Sequence, residues 1–259
     1  MKIKPRILIH KYKNYFLDLF APRNCAGCGK EKEILCENCI VLSFRFKASC
    51  VFCNFRNSTG TICKPCKEFY KSEFKKVLWA GEYKNALKNA IWELKYRKRR
   101  ELAKPLGKLI YKKFVEFYPN YQKEKFLVIP IPLHAKKEHR RGFNQAEILA
   151  QEFSKLSDIK LLTDSLIKVM ETKTQVKTKN KEERIKNLEN AFGVRDPNRV
   201  WVKANSIWAD KTIILIDDVS TTGATFLHAS RTLQKALRTS SEQTNPLKII
   251  CLAVAHGYG

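Results

Sequence analysis

The chain has no run of about eighteen apolar residues, the length a helix needs to cross a bilayer, so no transmembrane segment is expected. Its opening stretch, residues 1–20, is basic and amphipathic and lacks the continuous apolar centre of a secretory signal. Acidic residues are scarce as well. Asp and Glu number 25 against 50 Lys and Arg, which leaves a net charge of +25. That balance favours a polyanionic partner, either nucleic acid or an acidic membrane surface, unless the surface is simply basic. Isolated cysteines are almost absent. Eight of the nine sit in Cys-x-x-Cys pairs, which in a chain that is not exported indicates metal more readily than disulfides. A cytoplasmic location is expected, with at most a peripheral position at the inner face of the membrane.

What is present supports a folded protein. Hydrophobic residues make up 44% of 259 positions, enough for one α/β domain and a smaller module. The most informative stretch is Ile213-Ile214-Leu215-Ile216-Asp217-Asp218-Val219-Ser220-Thr221-Thr222-Gly223-Ala224-Thr225. Four consecutive apolar residues read as a strand buried on both faces of a parallel sheet. Two carboxylates end the run, small and hydroxylated residues follow, and a helical pattern starts at Phe226. A loop in that context can turn its N–H groups toward a phosphate, aided by the helix N-terminus. The aspartates cannot hold the same phosphate, because like charges repel. They suit hydroxyls or a hydrated cation, so the expected ligand carries a phosphate at one end and a diol nearby.

This stretch resembles the phosphoribosyl pyrophosphate loop of type I phosphoribosyltransferases at every position. The resemblance implies that Asp217 and Asp218 hold the ribose hydroxyls and serve as the catalytic pair. Ser220, Thr221, Thr222, Gly223, Ala224 and Thr225 complete the phosphoribosyl site, with Mg²⁺ accompanying phosphoribosyl pyrophosphate. A second buried strand, Phe126 to Ile131, runs into Pro132-Leu133-His134 and the basic segment Lys136, Lys137, Arg140, Arg141. In the same enzymes a pyrophosphate loop follows an earlier strand, which assigns Leu133, His134 and Arg141 to that role. His134 could equally be a surface histidine. The basic stretch 168–190 stands where those enzymes carry a mobile loop, and such loops close over a ligand and exclude water.

The cysteine pairs are Cys25/Cys28, Cys36/Cys39, Cys50/Cys53 and Cys63/Cys66. Each pair sets two thiolates on one side of a tight turn, and two pairs complete the four-sulfur shell of structural zinc. Two zinc ions are expected, and so short a segment could not fold without them. Sequential pairing into two zinc ribbons is preferred, although the even spacing also permits a cross-braced arrangement. Redox chemistry is the competing reading, without a thioredoxin pattern to support it. Cys251 lies in an apolar run and reads as a buried strand residue.

Residues 70–80 read as a connection. Two helices are expected between Tyr83 and Phe117, with Leu87, Ala90, Ile91, Leu94, Leu102, Leu106, Leu109 and Ile110 at helical spacing. Between Lys84 and Lys113 lie eleven Lys or Arg and two Glu. Lys95, Arg97, Lys98, Arg99 and Arg100 could contact backbone phosphates, and Trp92, Tyr96 and Tyr111 could stack on unpaired bases. The alternative is a solvated face with its aromatics turned inward.

Three blocks resemble the ComF family in order. They are Leu94-Lys95-Tyr96 with Arg100-Glu101-Leu102-Ala103; Ile129 to His134 with Arg141-Gly142-Phe143-Asn144-Gln145; and Gln175, Arg184, Asn187 and Ala191-Phe192. The entry Phe16-Leu17-Asp18-Leu19-Phe20-Ala21-Pro22 into the cysteine pairs does so too. The ending Ala255-His256-Gly257 departs from the arginine many members carry. The resemblance implies a type I phosphoribosyltransferase-like α/β domain over residues 71–259 and a double zinc ribbon within 1–70. It also implies a competence protein that handles incoming single-stranded DNA during natural transformation, with a DNA-uptake helicase as partner. A transferase acting on an unidentified acceptor, and a ligand sensor without turnover, remain alternatives.

Overall fold

A computed structural model describes residues 24–43, 48–57, 59–171, 188, 190–195, 211–240 and 246–257. Phe16, Leu17, Leu19 and Phe20 predict a short apolar helix over 12–24, and 200–202 and 207–208 read as short apolar pieces; these, Asn24 apart, and residues 172–187 of the expected mobile loop lie outside the described residues.

Strand β5 (Thr212–Ser220) carries Ile213 to Ile216 with no exposure at any of the four, as a strand covered on both faces requires. It pairs in parallel with β2 (Phe126–Pro130) on one side and β6 (Lys248–His256) on the other. Beyond β6 lies β1 (Val77–Glu82), also parallel, giving the order β1-β6-β5-β2. The sheet is therefore wholly parallel and flanked by helices, as the sequence led one to expect. Residues 70–80 are more than a connection, because Val77-Leu78-Trp79-Ala80 is itself a buried strand. Fully covered strands show no alternation, and this run is too short to be told from a linker by pattern. A small antiparallel pair, β3 (Leu166–Lys168) with β4 (Phe192–Val194), stands beside the main sheet.

Side chains leave a strand to alternate faces, and the two faces have different covers. Leu127, Ile129, Ile213, Leu215, Ile249 and Cys251 face α7 (Ala224–Ser240) through Phe226, Leu227 and Leu233. Val128, Ile214, Ile216, Ile250 and Leu252 face α3 (Asn85–Tyr96), α4 (Ala103–Phe117) and α6 (Gln145–Ser157). All eight apolar positions assigned to the 83–117 helices are buried. Helix α4 docks Phe114 edge-on against Phe153 of α6, with centroids 5.4 Å apart. Each fully buried Leu or Ile contributes about 1.5–3 kcal/mol, so the sheet and its helices form one core.

The cysteine segment divides between the same two faces. Cys50, Val51 and Phe52 pack into the α7 side, whereas Cys25, Cys36 and Cys39 pack into the α3 side. Short helices α1 (Glu37–Ser43) and α2 (Lys64–Phe69) begin inside the second cysteine pair of each group and carry its last cysteine, Cys39 and Cys66. Pro65 sits at the second position of α2, where its missing N–H costs no helical bond.

Candidate functional site

After β2 the chain passes through α5 (Ala135–Arg141) to α6 on one face of the sheet, whereas after β5 it passes to α7 on the other. Because β2 and β5 are neighbours, a crevice opens between their carboxyl ends. That is where open α/β sheets receive ligands. The 217–225 loop lies there. Asp217, Ser220, Thr221, Thr222, Gly223, Ala224 and Thr225 line a small recess. Thr222 Oγ1 accepts the Ala224 N–H at 3.4 Å and the Gly223 carbonyl accepts the Leu227 N–H at 2.9 Å, so the loop leads directly into α7. On the far side the Gly257 N–H donates to the Ser220 carbonyl at 2.9 Å.

The two aspartates do not act as a matched pair. Adjacent strand residues point to opposite faces, and only Asp217 is on the recess wall. Asp218 turns toward α3, where its Oδ2 meets Lys95 Nζ at 2.5 Å, both side chains being largely buried. Asp217 Oδ1 accepts the Asp218 N–H at 2.8 Å, and Asp218 Oδ1 accepts the Val219 N–H at 2.7 Å. Burial and the neighbouring Asp218 charge push the Asp217 carboxyl up to about 8, against the opposing pull of Lys95. Burial alone would lower the Lys95 ammonium, but Asp218 and then Asp217 outweigh it and its pKa is raised. On the other face Lys168 of β3 is lowered to about 8 by burial and by Lys137, with Asp217 opposing. A lysine therefore attends the acids on each side.

Lys95 was grouped by sequence with the phosphate-contacting face, and the structure separates it from the rest. It follows Leu94 and stands one turn after Ile91, so it falls at the edge of the apolar stripe of α3. That position was the available sign of an inward-facing charge. Arg99 is also committed, to Glu93, Glu101 and the Asn24 carbonyl at 3.0 Å. Arg100 donates to the Gly142 carbonyl at 2.5 Å and covers the Phe143 ring. Arg97 and Lys98 are exposed. Trp92 and Tyr96 are 43% and 57% exposed, which resolves their ambiguity in favour of a surface pair, whereas Tyr111 packs on Phe153. Arg97 lies over Trp92 at 5.6 Å and Arg141 over Tyr96 at 5.7 Å, so the neighbouring ring pair has a cation at each end.

The basic segment after β2 is the short helix α5 rather than an open loop. His134 Nδ1 caps it by accepting the Lys136 N–H at 3.3 Å. Leu133, His134 and Arg141 stand at the same end of the sheet as the recess but are not on its wall. Arg141 is engaged with Gln145 Oε1.

The eight cysteines gather as two sets, Cys25/Cys28/Cys36/Cys39 and Cys50/Cys53/Cys63/Cys66, so the pairing is sequential. Sulfurs on a tetrahedral zinc at about 2.3 Å would be about 3.8 Å apart. The Cys25–Cys39, Cys28–Cys36 and Cys53–Cys63 separations are 3.8, 3.6 and 3.5 Å. The residues present thus fit a zinc ion in each set. The knuckles share one turn: the residue after the second cysteine is left-handed in both, Gly29 in one and Asn54 in the other. Burial opposes the Cys25 thiolate, but N–H groups of Cys36, Cys28 and Gly27 outweigh it and lower the thiol to about 6. Cys251 is a buried residue of β6, as its sequence context suggested.

Contacts between the second cysteine group and the recess were invisible in the sequence. A Cβ on Gly223 would lie 3.0 Å from Val51 Cγ1 and 3.1 Å from Phe52 Cε1. Asn54 Oδ1 meets His256 Nε2 at 3.0 Å, and His256 stacks on Trp79. The 50–66 group therefore forms the back of the phosphate-shaped loop.

Fold and site together define a parallel α/β protein with a polar, recess-lining loop at its strand ends, one four-cysteine group behind that loop and a second packed on the other face of the sheet. No protein-family profile matches the chain. It is similar to competence protein F of Haemophilus influenzae, with 29% identity over 82% of this chain and 84% of that protein. It is similar also to competence protein ComFC of Bacillus subtilis, at 28% identity over 71% and 70%. An Escherichia coli protein called DNA utilization protein YhgH is 23% identical over 81% and 82%. These homologues support the ComF family for this chain.

Proposed function

We propose that the protein handles single-stranded DNA in the competence pathway its relatives are named for, and that its 217–225 loop binds a phosphoribosyl ligand such as phosphoribosyl pyrophosphate. The observation that carries this reading is the adjacency of two surfaces. The row Arg97–Trp92–Tyr96–Arg141, exposed except at the half-buried Arg141, begins at α3, the helix that also sends Lys95 to Asp218. Unpaired bases stack on such rings, worth about 1–3 kcal/mol each, while the cations neutralise the backbone. In the recess, Asp217 would accept from ribose hydroxyls, and the N–H groups of Thr222 to Thr225 at the start of α7 would take the 5′-phosphate. His134 and Arg141 would extend that binding toward a pyrophosphate. The zinc ions would stabilise the two cysteine groups and hold the loop's back wall in place. Residues 1–70 and 71–259 are the proposed modules, with DNA contact spread across both.

Among the described residues no helix is long and apolar enough to cross a membrane. A cytoplasmic location, with DNA met at the inner face of the membrane, is part of the proposal. Transfer of the ribose phosphate to an acceptor is the alternative reading. The experiment that tests DNA handling is fluorescence anisotropy with a labelled oligonucleotide. Trp92→Ala with Arg97→Ala should weaken single-strand binding about tenfold to a hundredfold. Undiminished binding by the double variant at moderate salt would refute the assigned surface.

A further inference from the structure

We propose that Lys95 is the resident cation of this loop, so that a phosphorylated ribose binds there without a divalent metal. The inference rests on the phosphoribosyl reading for its ligand and on the geometry of the acids for everything else. A Mg²⁺ held by protein takes one or two carboxylates and fills the rest of its shell with water and substrate phosphates. Here three of the four carboxylate oxygens are engaged: Asp217 Oδ1 by the Asp218 N–H, Asp218 Oδ1 by the Val219 N–H, and Asp218 Oδ2 by the Lys95 ammonium. The acid pair as it stands leaves a divalent ion only Asp217 Oδ2, with an ammonium already in place at Asp218.

Burial makes the pairing durable. Lys95 and Asp218 side chains are 17% and 5% exposed, and an ion pair shielded from water is not released by salt as a surface pair would be. Removing either partner would leave a buried charge without compensation. A divalent ion at the same oxygens would have to displace the ammonium or sit against it. The ammonium is anchored from the core side, since Leu94 and Ile91 on its own helix are fully buried. Lys168 and Lys137 supply further positive charge on the Asp217 side. The loop therefore carries its cation in the chain. Asp217 alone faces the recess and stays available to the ribose diol.

The test uses the full-length, zinc-loaded protein and two probes. In the first, ribose 5-phosphate is titrated by calorimetry with EDTA and again with millimolar Mg²⁺. Wild-type affinity should be the same within about twofold, whereas Lys95→Met should lose at least tenfold in EDTA and recover part of it with Mg²⁺. The second probe is Mn²⁺ followed by electron paramagnetic resonance without any ligand. Wild type should show no site at the loop, and Lys95→Met should gain one that Asp217→Asn removes. A wild-type protein that needs Mg²⁺ for ribose 5-phosphate would overturn the proposal. So would a wild-type Mn²⁺ site that disappears in Asp217→Asn, a result that requires no folded Lys95 variant. If ribose 5-phosphate binds neither protein under any condition, the phosphoribosyl reading fails, and the Mn²⁺ measurements still decide the role of Lys95.

Discussion

Replacing Gly223 by alanine tests whether the second cysteine group and the phosphate-shaped loop are one structural unit. Gly223 has φ +71°, and a left-handed conformation costs a residue with a Cβ about 1–2 kcal/mol. The new methyl would lie 3.0 Å from Val51 Cγ1 and 3.1 Å from Phe52 Cε1. Both neighbours are nearly fully buried, and Phe52 is wedged on Tyr70 at 4.4 Å and Phe74 at 5.9 Å, so neither can yield freely. Overpacking of this kind adds about 1–3 kcal/mol. Gly223→Ala should therefore lose about 2–5 kcal/mol, a fall in Tm of roughly 4–20 °C for a domain of this size. Urea denaturation read by Trp fluorescence measures it. Val51→Ala should lose stability alone but recover part of the loss when combined with Gly223→Ala, because it makes room for the methyl. A Gly223→Ala protein within about 0.5 kcal/mol of wild type, the range of a neutral surface change, would refute the close packing. Strict additivity of the two substitutions would refute the coupling.

Four further outcomes are expected. The Asp217 carboxyl is raised to about 8 in the fold, so wild-type stability should fall as pH rises from the ordinary carboxylate range toward 8, and Asp217→Asn should remove that slope. Lys168 is lowered to about 8, so above that pH the unfolded chain binds the extra proton; stability should rise between about 8 and 10.5, and Lys168→Met should abolish the rise. Chelation of the metal should unfold both cysteine groups with proton uptake by the released thiolates, measured by circular dichroism and a pH-indicator dye. Because Val51 and Phe52 back Gly223, the Cys63→Ser variant should lose more affinity for ribose 5-phosphate than Cys36→Ser, whose group packs on the opposite face.

Much of the sheet was legible in the sequence, since Ile213 to Ile216 and Phe126 to Ile129 are unbroken apolar runs and a fully covered parallel strand requires such a run. The helices of 83–117 declared themselves by periodicity. Strand β1 did not, because four apolar residues before Gly81 carry no period to distinguish strand from linker. The even cysteine spacing left sequential and cross-braced sets both open, and the structure has the sequential ones; the α7 end of the recess followed from the threonine-glycine pattern. What spacing could not convey was direction. Asp217 and Asp218 are adjacent, yet the strand sends them to opposite faces, and this divides one inferred pair into a recess residue and a buried ion partner. Lys95 looked like one of five surface cations because charge is counted along the chain, whereas its partner is more than a hundred residues away. The docking of Phe52 behind Gly223 is a tertiary fact of the same kind.

Calorimetric titration of the zinc-loaded protein with phosphoribosyl pyrophosphate, beside the Asp217→Asn/Asp218→Asn variant, tests the central claim most directly. Above pH 8, where Asp217 is ionised, its charged hydrogen bond to a ribose hydroxyl is worth about 1.5–3 kcal/mol, so wild type should bind and the variant should bind at least about tenfold more weakly. Absence of binding in the wild-type protein, or equal affinity in both, would contradict the phosphoribosyl site and leave function to the cysteine groups and the Trp92–Tyr96 surface.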